Sequence, residues 1–385
     1  INFLKVSIMK KAFYMMAAAA IALSSCSSEE TTDVAKSSAI SFRSTVGMNS
    51  RGAEVTTTTL NDIWVSAFVD NAAVFSSEQF SKNGSSFESV HGPWFWDAGK
   101  TYKFMAFSPS ATDLGVTPDV KEDKITINGY APSATIADQK DLLIADKKEG
   151  SSNDETSGVA LEFNHVLSQI QVKVKNTNPN LKYIIRGIRI SNVIASGDYT
   201  YTPANPDPHV WNTTGKAKNE YTYLLDQPIT LDENITTGDL LTAVNSAMLI
   251  PQSLTSWNGN KADNLAGVTG SYISILLQVS KKNAAGTLEK VYPKDAQDDT
   301  QCGWAAVAIP AGDGWKYGNK YIYTLDLSKG AGKVDPVNPN PDGSDVVKPG
   351  VSGKDPDKGE NILGKPIFFT VDVKAWTENN PTINM

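Results

Sequence analysis

The chain has 385 residues, with 35 Lys and Arg against 42 Asp and Glu and a formal net charge of −7. That acidic balance argues against nucleic acid as a partner, because phosphate binding needs a basic face. Its two cysteines, Cys26 and Cys302, cannot make a disulfide framework, so stability must come from core burial, and the length is enough for two domains.

In chain order the first signal is Met9-Lys10-Lys11, followed by a run from Ala12 to Leu23 that is apolar throughout. Twelve residues suit the core of a secretion signal but are too short for a bilayer, which needs roughly 20. Residues 1–25 are therefore expected to be a signal peptide starting at Met9, with Ile1 to Ile8 upstream of it. Leu23-Ser24-Ser25-Cys26 matches the lipobox of bacterial lipoproteins, where cleavage precedes a cysteine that takes a diacylglyceryl group. Acyl chains contribute about 0.8 kcal/mol per buried methylene, so several chains on Cys26 make a stable anchor. Residues 26–38 read as a linker, and Glu29-Glu30 within it resemble an acidic surface-export signal. The leader holds three lysines and no acid, so a chain beginning at Cys26 carries −10.

From residue 39 onward the periodicity is that of strands. Ile63 to Val69, Tyr102 to Phe107, Ile125 to Ile127, Ile170 to Val174, Ile273 to Val279, Ala305 to Ile309 and Tyr321 to Leu327 are short and rich in β-branched and aromatic residues. Turn residues such as Asn83-Gly84, Asn128-Gly129 and Gly197-Asp198 separate them. Helical periodicity is scarce, with a turn or two at most over Asp239 to Asn245. The reading is an all-β chain, most simply two antiparallel sandwiches in tandem. A polar stretch from Lys147 to Ser157 places the boundary near 158, giving domains 39–158 and 159–385.

Between Ala331 and Glu360, fifteen of thirty residues are Pro, Gly or Asp, which reads as a tether without core residues. After it, residues 366–376 form a final strand. Ile367, Phe369, Val371, Val373 and Ala375 fall on one face, and Phe368, Thr370, Asp372, Lys374 and Trp376 on the other. That apolar face must be buried in its own sheet or in a neighbour's.

Chemistry leaves little trace. His91, His165 and His209 are far apart and fit no metal spacing, and no nucleophile elbow or phosphate loop is present. His165 alternates with Leu161, Phe163 and Leu167, which predicts a packed, hydrogen-bonded histidine. Cys302 has no basic neighbour in sequence and reads as a buried thiol. Asn338, Asn340, Asp342 and Gly343 imitate the start of a calcium loop, but its last ligand position is Pro349, so the match fails. No enzyme activity and no cofactor are expected.

The motifs taken together resemble a known family. They are the lipobox, Ile40-Ser41-Phe42, Ser50-Arg51-Gly52-Ala53, Phe104-Met105-Ala106-Phe107-Ser108-Pro109 and Asp141-Leu142-Leu143-Ile144-Ala145. Further on come Leu161-Glu162-Phe163-Asn164-His165, Leu249-Ile250-Pro251-Gln252, Trp315-Lys316-Tyr317-Gly318-Asn319-Lys320-Tyr321 and Val371-Asp372-Val373-Lys374-Ala375-Trp376. In this order they resemble the fimbrillin-like lipoproteins, which include type V pilus subunits. The resemblance implies two transthyretin-like sandwiches per chain and an outer-membrane precursor held by lipid. It also implies an arginine-specific cut that releases the first strand and leaves a groove for a strand from another subunit. Here the first strand would be Ala39 to Val46, plugging the groove with Ile40, Phe42 and Val46. The cut falls at Arg51, with Arg43 as alternative because pairing would shield it. The strand that fills a neighbour's groove stays open at this stage, and Ile367, Phe369, Val371, Val373 and Trp376 of the final strand are one candidate. The expected partners are other fimbrillin-like subunits, the outer membrane and a host or bacterial glycan or protein ligand. The competing reading is a glycan-binding lipoprotein of the outer membrane, which requires some tryptophans, with Trp94, Trp211 or Trp257 as candidates, to be exposed in a coplanar group.

Overall fold

The computed structural model describes residues 39–46, 56–364 and 367–376. The expected signal peptide, Cys26 and Arg51 lie outside the described residues. Among the described residues helix is confined to one capped turn, Ala111–Leu114, and three short 3-10 segments. The chain is all-β, as its alternating pattern requires.

The strands of the first part are β1 (Phe42–Val46), β2 (Asp62–Val69), β3 (Ala72–Asn83), β4 (Ser86–Ser89) and β5 (Tyr102–Ser108), followed by β6 (Asp119–Lys121), β7 (Lys124–Tyr130), β8 (Leu143–Ala145), β9 (Lys148–Gly150) and β10 (Val159–His165). Eight of them form one sheet in the order β2-β3-β4-β1-β10-β8-β5-β9, and β2 also pairs with β5, so the ladder closes on itself. Its interior is packed with aromatic and branched side chains, among them Phe42, Phe80, Phe87, Phe104, Leu161 and Phe163.

The next strands are β11 (Ser168–Lys175), β12 (Leu181–Ile194), β13 (Gly197–Tyr201), β14 (His209–Asn212), β15 (Lys218–Leu231), β16 (Thr237–Leu241) and β17 (Ala247–Leu249). After these come β18 (Tyr272–Lys282), β19 (Leu288–Tyr292), β20 (Gln301–Ala308), β21 (Asn319–Asp326), β22 (Lys333–Val334), β23 (Lys348–Pro349) and β24 (Phe368–Ala375). A second sheet runs β16-β11-β21-β24, with β17 also on β11. A third runs β15-β12-β18-β20-β22, with β19 on β18 and β23 on β20. One core lies between these two sheets, drawing Ile170 and Val172 from β11, Ile188 and Ile190 from β12, Ile275 from β18 and Tyr323 from β21.

A fourth sheet, β14-β13-β7-β6, joins strands that stand on either side of residue 158. In it Tyr199 pairs with Ile127 and Thr200 with Thr126. It covers the outer face of the first sheet, where Phe68, Met105, Phe107 and Ile144 meet Ile125, Ile127, Tyr199 and Tyr201. The two halves expected from the sequence therefore share a sheet. The polar boundary stretch holds β9, and Val159–His165, which follows it, returns to the first sheet rather than opening the next.

Two further expectations are corrected. Asp239, read as helical, lies in β16 opposite Lys173, because the long β11 supplies a ladder partner that outweighs local propensity. The 331–360 segment is an arm packed on the third sheet, not a free tether. Ala331, Val334, Val337 and Val347 are buried, and the arm adds β22 and β23 to β20. Asp335 anchors it: one carboxylate oxygen accepts from the backbone N–H groups of Val337 and Asn338 at 2.9 Å each. The other accepts from the Arg189 guanidinium at 2.8 Å and from the Ser274 hydroxyl at 2.6 Å. A buried charge is tolerated only when paired in this way.

The fourth sheet also carries an acid-sensitive group. His209 on β14 is buried, with Nδ1 2.6 Å from the Tyr199 hydroxyl, and desolvation pushes its pKa down to about 4. The unfolded histidine titrates near 6.5, so between these values the unfolded chain binds more protons and stability falls as pH drops. Urea midpoints measured from pH 7 to pH 4 should decline through that window in the wild type. The decline should be shallower in His209→Phe, which cannot take up the proton.

Candidate functional site: the seat of the first strand

Isoleucine, phenylalanine and valine at positions 40, 42 and 46 are on one side of a strand because side chains alternate, and all three are buried. Arg43 and Thr45 face solvent and Ser44 is half-buried. Phe42 is completely enclosed, meeting Phe80 edge-on at 4.8 Å between ring centroids and Phe104 at 5.0 Å. Such pairs contribute about 0.5–1.5 kcal/mol beyond area burial. Full burial of each of the three plug side chains contributes about 1.5–3 kcal/mol.

The backbone is held unequally on its two sides. Along β10 the pairing is parallel and runs the whole length of β1, from Phe42 opposite Val159 to Val46 opposite Phe163. Along β4 it is reduced to one antiparallel pair, Phe42 with Phe87. Upstream, Ile40 N donates to Trp94 O at 2.6 Å and Ala39 bridges Phe95. At the other end Val46 N donates to the Thr57 hydroxyl at 3.1 Å. Gly158 makes the close approach possible: its φ is +70°, and a Cβ there would stand 3.2 Å from the Ser41 hydroxyl.

Ile40, Phe42 and Val46 are thus gathered in one trough; of the two candidate processing residues, Arg51 lies outside the described residues and Arg43 lies within β1. Arg43 is exposed, but its backbone lies in the ladder opposite Ala160. Sequence reasoning missed that β10 is the main partner of β1. The signal was the matching inward alternation of Val159, Leu161 and Phe163.

The final strand lies elsewhere. β24 pairs antiparallel with β21 over eight residues, from Phe368 opposite Asp326 to Ala375 opposite Asn319, at the edge of the second sheet. Its apolar face is only partly covered there. Ile367 is buried and Val371 half-buried, but Val373 is 57% exposed. Trp376, just past the strand, is buried and stacks on His165 at 3.9 Å and 9° between ring planes. His165 closes β10, and its Nδ1 lies 2.7 Å from the buried Asp141 carboxylate.

The tryptophans singled out for glycan stacking do not form a common face. Trp257 is buried and donates to Asn260 O, Trp211 is half-buried and donates to Val166 O, and Trp94 leans on Phe75. Burial pushes the Cys302 thiol up to about 12, which leaves it unreactive. Among the described residues no group of three His, Cys, Asp or Glu could hold a metal ion, and no helix is long and apolar enough to cross a membrane.

Comparison with known proteins gives the class. The fimbrillin-like family matches residues 45–340. Among solved structures, a fimbrial protein from Bacteroides vulgatus is similar over 88% of this chain and 99% of its own, at 14% identity and a TM-score of 0.53. A candidate cell adhesion protein from Bacteroides uniformis is similar over 88% and 99%, at 15% identity and a TM-score of 0.41. No curated protein matches the chain. The chain belongs to the fimbrillin-like family, and the B. vulgatus protein shares its fold.

The trough makes a direct prediction. Phe42→Ala leaves a cavity among Phe80, Phe87 and Phe104 and should cost about 3–5 kcal/mol in urea denaturation. Arg43→Ala, one residue away but facing solvent, should change stability by less than about 0.5 kcal/mol.

Proposed function

We propose that the protein is a cell-surface fimbrial subunit that polymerises by exchanging its first strand for the closing strand of another copy. The observation that carries this reading is a match between two distant segments. Ile40-Ser41-Phe42-Arg43-Ser44-Thr45-Val46 and Ile367-Phe368-Phe369-Thr370-Val371-Asp372-Val373 share isoleucine, phenylalanine and valine at the first, third and seventh positions. Those are the three positions that plug the trough. A donor running in the direction of β1 would bring Ile367, Phe369 and Val373 to the seats of Ile40, Phe42 and Val46. Val373, half out of its home sheet, would gain full burial.

The rest of the assembly follows from the leader and the loop. Lipid on Cys26 tethers the precursor to the outer membrane. A cut after Arg51 detaches the lipid, and residues 39–46 then leave as a separate peptide held only by the ladder and the plug. Backbone pairing along β10 supplies affinity to the incoming strand, and the three pockets supply register. The role is structural and adhesive, without catalysis.

Val373→Asp separates the two seats of the closing strand. At home this residue is mostly exposed, so the monomer's urea midpoint should move little, by about 0.5 kcal/mol or less. Surface polymer, scored by electron microscopy and by the ladder on unheated gels, should be lost. Wild-type polymer sheared from cells should begin at Gly52 by N-terminal sequencing. Chains that still begin at Cys26 would contradict the processing step.

A further inference from the structure

We propose that the groove between β15 and the packed arm is a binding site for a neutral sugar residue. The cavity has a volume of about 510 Å3. Its floor is the outer face of the third sheet, where alternation along β15 places Glu220, Thr222 and Leu224 on one side and register sets Thr222 beside Arg189. Its wall is the arm, contributing Asn338, Pro339, Pro341 and Asp342.

Arg189 is the built element. It is 6% exposed and stacks over Trp304 at 4.5 Å. It donates from Nη2 to Asp335 and to Asn338 O, and its Nη1 lies 3.5 Å from Glu220. Its Nε–H has no partner among the described residues. That atom is itself enclosed, so Arg189 acts by supporting the floor and the wall rather than by meeting a ligand through Nε.

The surrounding chemistry narrows the class. The charge of Arg189 is already balanced by Asp335 and Glu220, and Lys358 stands in the same cavity as Asp342, so no net positive field remains to select an anion. Among the described residues the side chains of Thr222, Asn338 and Asp342 make no hydrogen bond or ion pair. Together they offer donors and acceptors at close spacing. Leu224, 42% exposed, and the half-buried ring of Pro339 give apolar surface beside them. A pyranose has this combination of adjacent hydroxyls and a C–H face. The wall is also preformed: Asp335 accepts from Val337 N and Asn338 N, Trp304 N donates to Pro339 O at 2.7 Å, and Asn340 and Val351 hydrogen-bond each other. Little ordering is therefore needed on binding.

Saturation-transfer NMR on the full chain with methyl glycosides of glucose, galactose and mannose tests the site. At least one should give signal. Thr222→Trp, which fills the groove from a half-exposed strand position, should abolish it. Asp342→Asn should weaken binding on the order of tenfold. Both variants should keep the wild-type melting temperature. No signal from any of the three, signal unchanged in both variants, or a preference for methyl glucuronide over methyl glucoside would each overturn the proposal.

Discussion

From Val159 to Glu162, β10 has its ladder partner in β1 alone, since β8 reaches it only from Phe163 onward. The first sheet depends on that pairing. Without β1, the backbone groups on one side of β10 and the single paired position of β4 are left open above Phe80, Phe87 and Phe104. An open strand edge beside an apolar trough is a template for another strand. The same geometry that stabilises the monomer would therefore set the direction, length and side-chain pattern of a strand that took the place of β1.

The closing strand is tied to the same element. β10 begins opposite β1 and ends at His165, whose ring carries the indole of Trp376. Trp376 belongs to the cluster beneath the fourth sheet, not to the sandwich that holds the body of β24. The last residue of the described chain thus packs into the first half of the molecule. In the proposed exchange, a donor strand gives up its β21 ladder and the Trp376 stack and gains the three pockets of the trough. The half-exposed Val373 is where the balance shifts toward leaving.

Strand identity was legible in the sequence and strand pairing was not. Ile63 to Val69, Tyr102 to Phe107 and Ile273 to Val279 were readable because alternate or continuous burial leaves a local pattern of side chains. The burial of Ile40, Phe42 and Val46 was readable for the same reason. That Val159–His165 lies beside β1, or β7 beside β13, depends on contacts between distant segments that no local pattern records. The arm misled for a different reason. Its Pro, Gly and Asp content reads as unfolded, yet Asp335 satisfies two backbone donors and a buried arginine, so isolated valines on either side can be buried. The family motifs carried function further than the residues alone could.

Directed cross-linking tests the central claim most directly. With Asp372→Cys in the closing strand, two partners can be offered in turn. Glu162→Cys lies on β10 opposite Thr45, the solvent-facing position that Asp372 would take in a neighbour, and Ile322→Cys lies opposite Asp372 at home. In polymer recovered from the cell surface, the account predicts a disulfide between subunits joining positions 372 and 162. A disulfide confined to positions 372 and 322 of one chain, in polymer as in monomer, would contradict it.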